Sequence, residues 1–127
     1  MKNVIELRKK ERKNLLEKAE SYLKKLRKSV GPLSGAVLGS VSRGDFNDAS
    51  DIDVVVVAEE LPTHPLQRLE VLLAPWVPGI DPKGYKRSEF VQLRQKGNLF
   101  IQLILEEGIV LMDEMGVFKN GHQHADS

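Results

Sequence analysis

The stretch Asp51-Ile52-Asp53-Val54-Val55-Val56-Val57-Ala58 decides the fold. Its valine run predicts a central strand with both faces buried, because a sheet covered on both sides carries continuous rather than alternating apolar residues. Side chains alternate along a strand, so Asp51 and Asp53 point to one side and Ile52 to the other. Val55 and Val57 continue the acidic face, which places the two carboxylates where that face emerges from the core. Two adjacent carboxylates repel and raise each other's proton affinity unless a cation lies between them.

Upstream, Gly35-Ala36-Val37-Leu38 reads as a second strand running into Gly39-Ser40. Val41-Ser42-Arg43 reads as a brief helical turn and residues 44–48 as loop. Before these, residues 4–26 read as a helix, with Leu15, Leu16, Ala19, Tyr22, Leu23 and Leu26 at helical spacing. Gly31-Pro32 stops it, since glycine suits the position after a helix end and proline cannot continue one.

Downstream, residues 61–65 form a connector and a helix covers residues 66–73. Residues 77–85 predict a short strand that Pro78 and Pro82 confine to a sheet edge. Ser88 is expected to cap a second long helix with Glu89 in its first turn. Its buried stripe would be Phe90, Leu93, Leu99, Phe100, Leu103 and Ile104, and Gly108 would end it. Residues 109–112 read as a final strand. Helices alternating with strands predict an α/β (α+β) fold, a small mixed sheet with helices packed on one side. Residues 1–120 are expected to be one domain, opened by a basic helix over 1–28, with 121–127 a flexible tail.

Composition narrows the function classes. A chain of 127 residues suits one domain, which at this size buries roughly two-thirds of its unfolded surface. There is no cysteine, so disulfides and thiol-ligated zinc are excluded. No apolar run approaches the roughly 20 residues that span a bilayer, and Lys2 begins a charged rather than an apolar N-terminus. A cytoplasmic protein without membrane contact is expected. Residues 1–28 hold 11 Lys/Arg against 4 Glu, whereas the rest hold 8 against 14 acids. A solvated basic helix accounts for this. RNA binding through it is the weaker alternative, because Tyr22 is its lone aromatic and no stacking platform exists.

The chemistry-bearing residues lie on either side of one short segment. Oxygen-only ligands such as Asp51 and Asp53 select a hard ion, Mg²⁺ or Mn²⁺. Gly39 lets the backbone approach a phosphate, Ser40 adds a hydroxyl, and Arg43 neutralises charge from the same side. A phosphate cradle beside a dicarboxylate metal site is what metal-assisted nucleotidyl transfer requires.

Gly39-Ser40, Arg43-Gly44 and Ser50-Asp51-Ile52-Asp53-Val54 resemble the signature of the nucleotidyltransferase superfamily that includes DNA polymerase beta. The short chain is similar to its minimal members of antitoxin type. That resemblance implies an ATP or other nucleoside triphosphate substrate and a third carboxylate on a later strand, ahead of a Glu-Phe opening the next helix. Glu89-Phe90 matches the opening, and Asp81, eight residues earlier, takes the third ligand position. It also implies a small helical partner of the HEPN class, neutralised by adenylylation of a tyrosine. Fold does not fix function, and the alternative is a non-catalytic nucleotide- or partner-binding module with a degenerate site.

Other residues have plainer readings. His64 is expected on the surface of a loop, His122 and His124 in the tail, and Trp76 as a satellite packing residue. Ser42 reads as a turn residue without a base beside it, and Asp45 and Asp48 as turn formers. Lys83, Lys86 and Arg87 read as a solvated loop within reach of phosphate.

Overall fold

The computed structural model describes residues 2–38 and 52–118. Lys2–Val30 forms α1, and its stripe Ala19, Tyr22, Leu23, Leu26 and Val30 is buried at the expected helical spacing. The Gly31 N–H closes the helix by donating to the Arg27 carbonyl at 2.9 Å. Strand β1 is Ser34–Leu38 and β2 is Ile52–Val57. Helix α2 (Pro65–Leu73) precedes β3 (Ile80–Tyr85), α3 (Arg87–Gln95), α4 (Leu99–Glu107) and β4 (Ile109–Asp113).

The four strands form one mixed sheet in the order β3-β2-β1-β4. Strand β1 runs antiparallel to both β2 and β4, whereas β2 and β3 are parallel. Val54, Val55, Val56 and Val57 are all fully buried, as a central strand demands. Their alternation divides the core in two. Ile52, Val54 and Val56 pack with α1 and with Leu72 of α2, while Val55 and Val57 pack with Phe90 of α3 and Ile101 and Ile104 of α4. The mixed α/β sheet forms as expected, but helices cover both faces rather than one side. The reason is visible in β2 itself, because a strand apolar on both faces needs cover on both.

Close approach of α1 to the sheet depends on Gly35. A Cβ there would lie 2.5 and 2.6 Å from the two Leu23 methyls, which are fully buried. Tyr22, also buried, donates its hydroxyl to the Leu72 carbonyl at the end of α2, where helical carbonyls have no partner of their own. Burial pushes the Tyr22 phenol far above its ordinary value.

Other expectations need correction. The long helix from Ser88 is two helices broken at Lys96-Gly97-Asn98, where Gly97 adopts φ 75° and the Asn98 side chain caps α4 by accepting from the Ile101 N–H at 3.1 Å. The cap position of α3 is Lys86 rather than Ser88. Glu89 does occupy the first turn, where its Oε1 accepts from the Lys86 N–H at 2.8 Å. Trp76 does not pack: it is 77% exposed, on a backbone with φ 46°. His64 is exposed, as expected, and its Nδ1 accepts from the Leu66 N–H at 3.2 Å as the N-cap of α2. The tail (residues 121–127, with His122 and His124), the turn at Ser42 and the loop holding Asp45 and Asp48 lie outside the described residues.

Candidate nucleotide and metal site

The register of the parallel pair builds the site. Asp53 on β2 stands opposite Asp81 on β3, Val55 opposite Lys83, and Val57 opposite Tyr85. Register partners share a face, so Asp53, Asp81, Lys83 and Tyr85 all project toward the side covered by α3 and α4. Pro82 does not break β3. It is buried opposite Val54 on an edge strand, where a missing N–H is tolerated.

Asp53 and Asp81 are therefore brought together, half-exposed, at one end of the sheet. Lys83 is not a solvated loop residue. Two positions beyond Asp81 on the same strand, its Nζ donates to Asp81 Oδ2 at 3.0 Å and to Asp53 Oδ1 at 3.3 Å. Partial burial opposes charge on this ammonium, but the hydrogen bond to Asp81 and the charges of Asp53 and Asp81 outweigh it, and its pKa is raised. The alternation Asp81-Pro82-Lys83 was the available signal for this contact, masked by two prolines that suggested irregular chain.

Gly39, Ser40, Arg43 and Asp51 lie outside the described residues. Among the described residues no three acids or histidines gather as metal ligands. The donor set present is nevertheless that of a hard cation: two facing carboxylates with a positive group lodged between them. The lysine ammonium bridges the two carboxylates. Asp53 also pairs with Leu38, the last residue of β1, from which the chain continues to Gly39.

Sequence reasoning missed Arg68. Its guanidinium grips both carboxylate oxygens of Glu89 at 2.7 and 2.9 Å, and donates to the carbonyls of Pro62 at 2.7 Å and Gly84 at 3.1 Å. It thus ties α2, the end of β3 and α3 together across the sheet edge. The Arg68 hydrogen bond is the main cause holding the Glu89 carboxyl below its ordinary value, against the smaller opposing effect of burial. Three residues of sequence around Arg68 carry no motif, so only the fold reveals this clasp.

Comparison with known proteins follows the same line. No curated protein matches the chain. A solved structure from Sulfolobus solfataricus, provisionally described as a nucleotidyltransferase, superposes with a TM-score of 0.61 over 81% of this chain and 84% of that one, at 17% identity. At that identity the likeness speaks for the fold. Among the described residues no helix is long and apolar enough to cross a membrane. The family model for the nucleotidyltransferase domain matches residues 16–111, a span that contains both strands bearing the acids, and the chain belongs to that family, whose chemistry is nucleotidyl transfer.

Proposed function

We propose that this protein transfers AMP from ATP to an acceptor hydroxyl, using Mg²⁺ or Mn²⁺ held by Asp51, Asp53 and Asp81. Gly39, Ser40 and Arg43 hold the triphosphate. The observation that carries the proposal is the pairing of Asp53 with Asp81 across the parallel strands, around a lysine ammonium. The cation supplies charge neutralisation for the attacking and leaving oxygens when bound. The acceptor oxygen forms a new bond to the α-phosphorus as the α–β bridging bond breaks. Pyrophosphate leaves with the electron pair, and the hydroxyl proton passes to a carboxylate of the site.

The acceptor we propose is a tyrosine on a small helical partner of the HEPN class, in a cytoplasmic antitoxin role. The test uses ATP labelled at the α-phosphate, Mg²⁺ and a purified HEPN-type partner. Label should enter the partner with wild-type protein and fall at least about 100-fold with Asp53→Asn, the loss of about 2.7 kcal/mol of transition-state stabilisation. Label from the γ-phosphate should not transfer. Partner neutralisation that survives Asp53→Asn unchanged would favour the binding-only module instead.

A further inference from the structure

Lys83 occupies an unusual place for a positive side chain in a site that must admit a divalent cation. Its Nζ lies 3.0 Å from Asp81 and 3.3 Å from Asp53, the two acids whose mutual repulsion it relieves. Any cation entering between those carboxylates meets this ammonium first. The lysine side chain is a flexible four-carbon stem with a compact charge at its end, so the ammonium can leave without movement of β3. Its side chain is 39% exposed.

We propose that Lys83 is a tethered counterion that holds the space between Asp53 and Asp81 and yields it only when metal and triphosphate arrive together. The inference rests on the nucleotidyltransferase reading above and deepens it by naming a positioning residue. A divalent ion arriving alone must evict the ammonium and leave it without a partner. An ion arriving with a triphosphate offers the displaced ammonium new anionic oxygens, so the exchange conserves ion pairing. Metal loading is thereby coupled to nucleotide binding, and the coupling is reciprocal.

Mn²⁺ is the probe, with the free ion followed by electron paramagnetic resonance, in the presence or absence of α,β-methylene-ATP. Wild-type protein is expected to bind Mn²⁺ weakly alone and at least about tenfold more tightly with the analogue. Lys83→Met is expected to bind Mn²⁺ alone at least about tenfold more tightly than wild type, since a like charge is removed from beside the ion. It should also lose most of the enhancement given by the analogue. Lys83→Arg, which keeps the charge, should behave as wild type. Thermal melting gives an independent readout: without metal Lys83→Met should melt below wild type, and Mn²⁺ should raise its midpoint more.

Wild-type binding combined with unchanged or weaker binding by Lys83→Met would overturn the role of Lys83 while leaving the metal site standing. Equal gains in melting midpoint would do the same. Absence of Mn²⁺ binding in every variant, with the analogue present, would remove both the metal site and this inference.

Discussion

Replacing Gly35 with alanine should destabilise the protein through a single contact, and the size of the effect follows from the geometry. The added Cβ would sit 2.5 and 2.6 Å from the Leu23 methyls, against ordinary carbon contacts of about 3.5–4.0 Å. Those methyls must retreat by about 1 Å inside a cluster formed with Ala19, Tyr22, Leu26 and Val37. Overpacking of this kind costs about 1–3 kcal/mol. Removing a strand glycine returns about 0.5–1 kcal/mol of conformational entropy, so the net loss should centre on about 1 kcal/mol within a range of about 0–2.5 kcal/mol. Leu23→Ala alone leaves a cavity and should cost about 2–5 kcal/mol. In the double variant the new methyl fills part of that cavity, and the combined loss should fall short of the sum by about 1 kcal/mol or more. Urea unfolding followed by circular dichroism measures all three variants, with unchanged m-values confirming a common mechanism. Additivity of the two changes within about 0.5 kcal/mol would refute the close-approach argument.

Arg68→Met should cost about 1–3 kcal/mol, discounted for the partial exposure of Glu89, because it strands a carboxylate and two carbonyls. The Glu89 carboxyl is held below its ordinary 4.5, so its contribution is present above that pH and disappears as pH falls through the lower folded value. Unfolding measured from pH 6 downward should therefore show a steeper loss in wild type than in Arg68→Met below 4.5. Tyr22→Phe should cost about 1–2 kcal/mol by orphaning the Leu72 carbonyl. Because the folded phenol titrates above its ordinary 10.0, its contribution is complete below that pH and is lost above it; alkaline unfolding should be steeper in wild type than in Tyr22→Phe.

What was legible in the sequence was what depends on local pattern. The valine run announced a doubly covered strand, and the stripe of Ala19, Tyr22, Leu23 and Leu26 announced the buried face of α1. The break at Gly97-Asn98 was harder, because apolar residues continue on both sides of it and helical periodicity survives a single turn of interruption. Helix placement on both faces is implicit in the apolar residues on both sides of β2, whereas the order of helices and strands along the chain does not say which face each helix covers. Trp76 misled because a large aromatic suggests burial, whereas its backbone turns it outward. The pairing of Asp53 with Asp81 is a matter of register between strands 28 residues apart, for which no local pattern exists. Lys83 shows the same difficulty more sharply. Its neighbours in sequence suggested a basic loop, and only the parallel alignment gives it two acids to join.

The central claim is that Asp53 and Asp81, aligned across β2 and β3, share one divalent cation. The most direct measurement is a crystal structure grown with Mg²⁺ and α,β-methylene-ATP. It should show carboxylate oxygens of both residues at about 2.0–2.1 Å from one ion, with the Lys83 ammonium withdrawn from between them. An ion bound elsewhere, or Asp81 still paired with Lys83 and remote from the metal while nucleotide is present, would contradict the account.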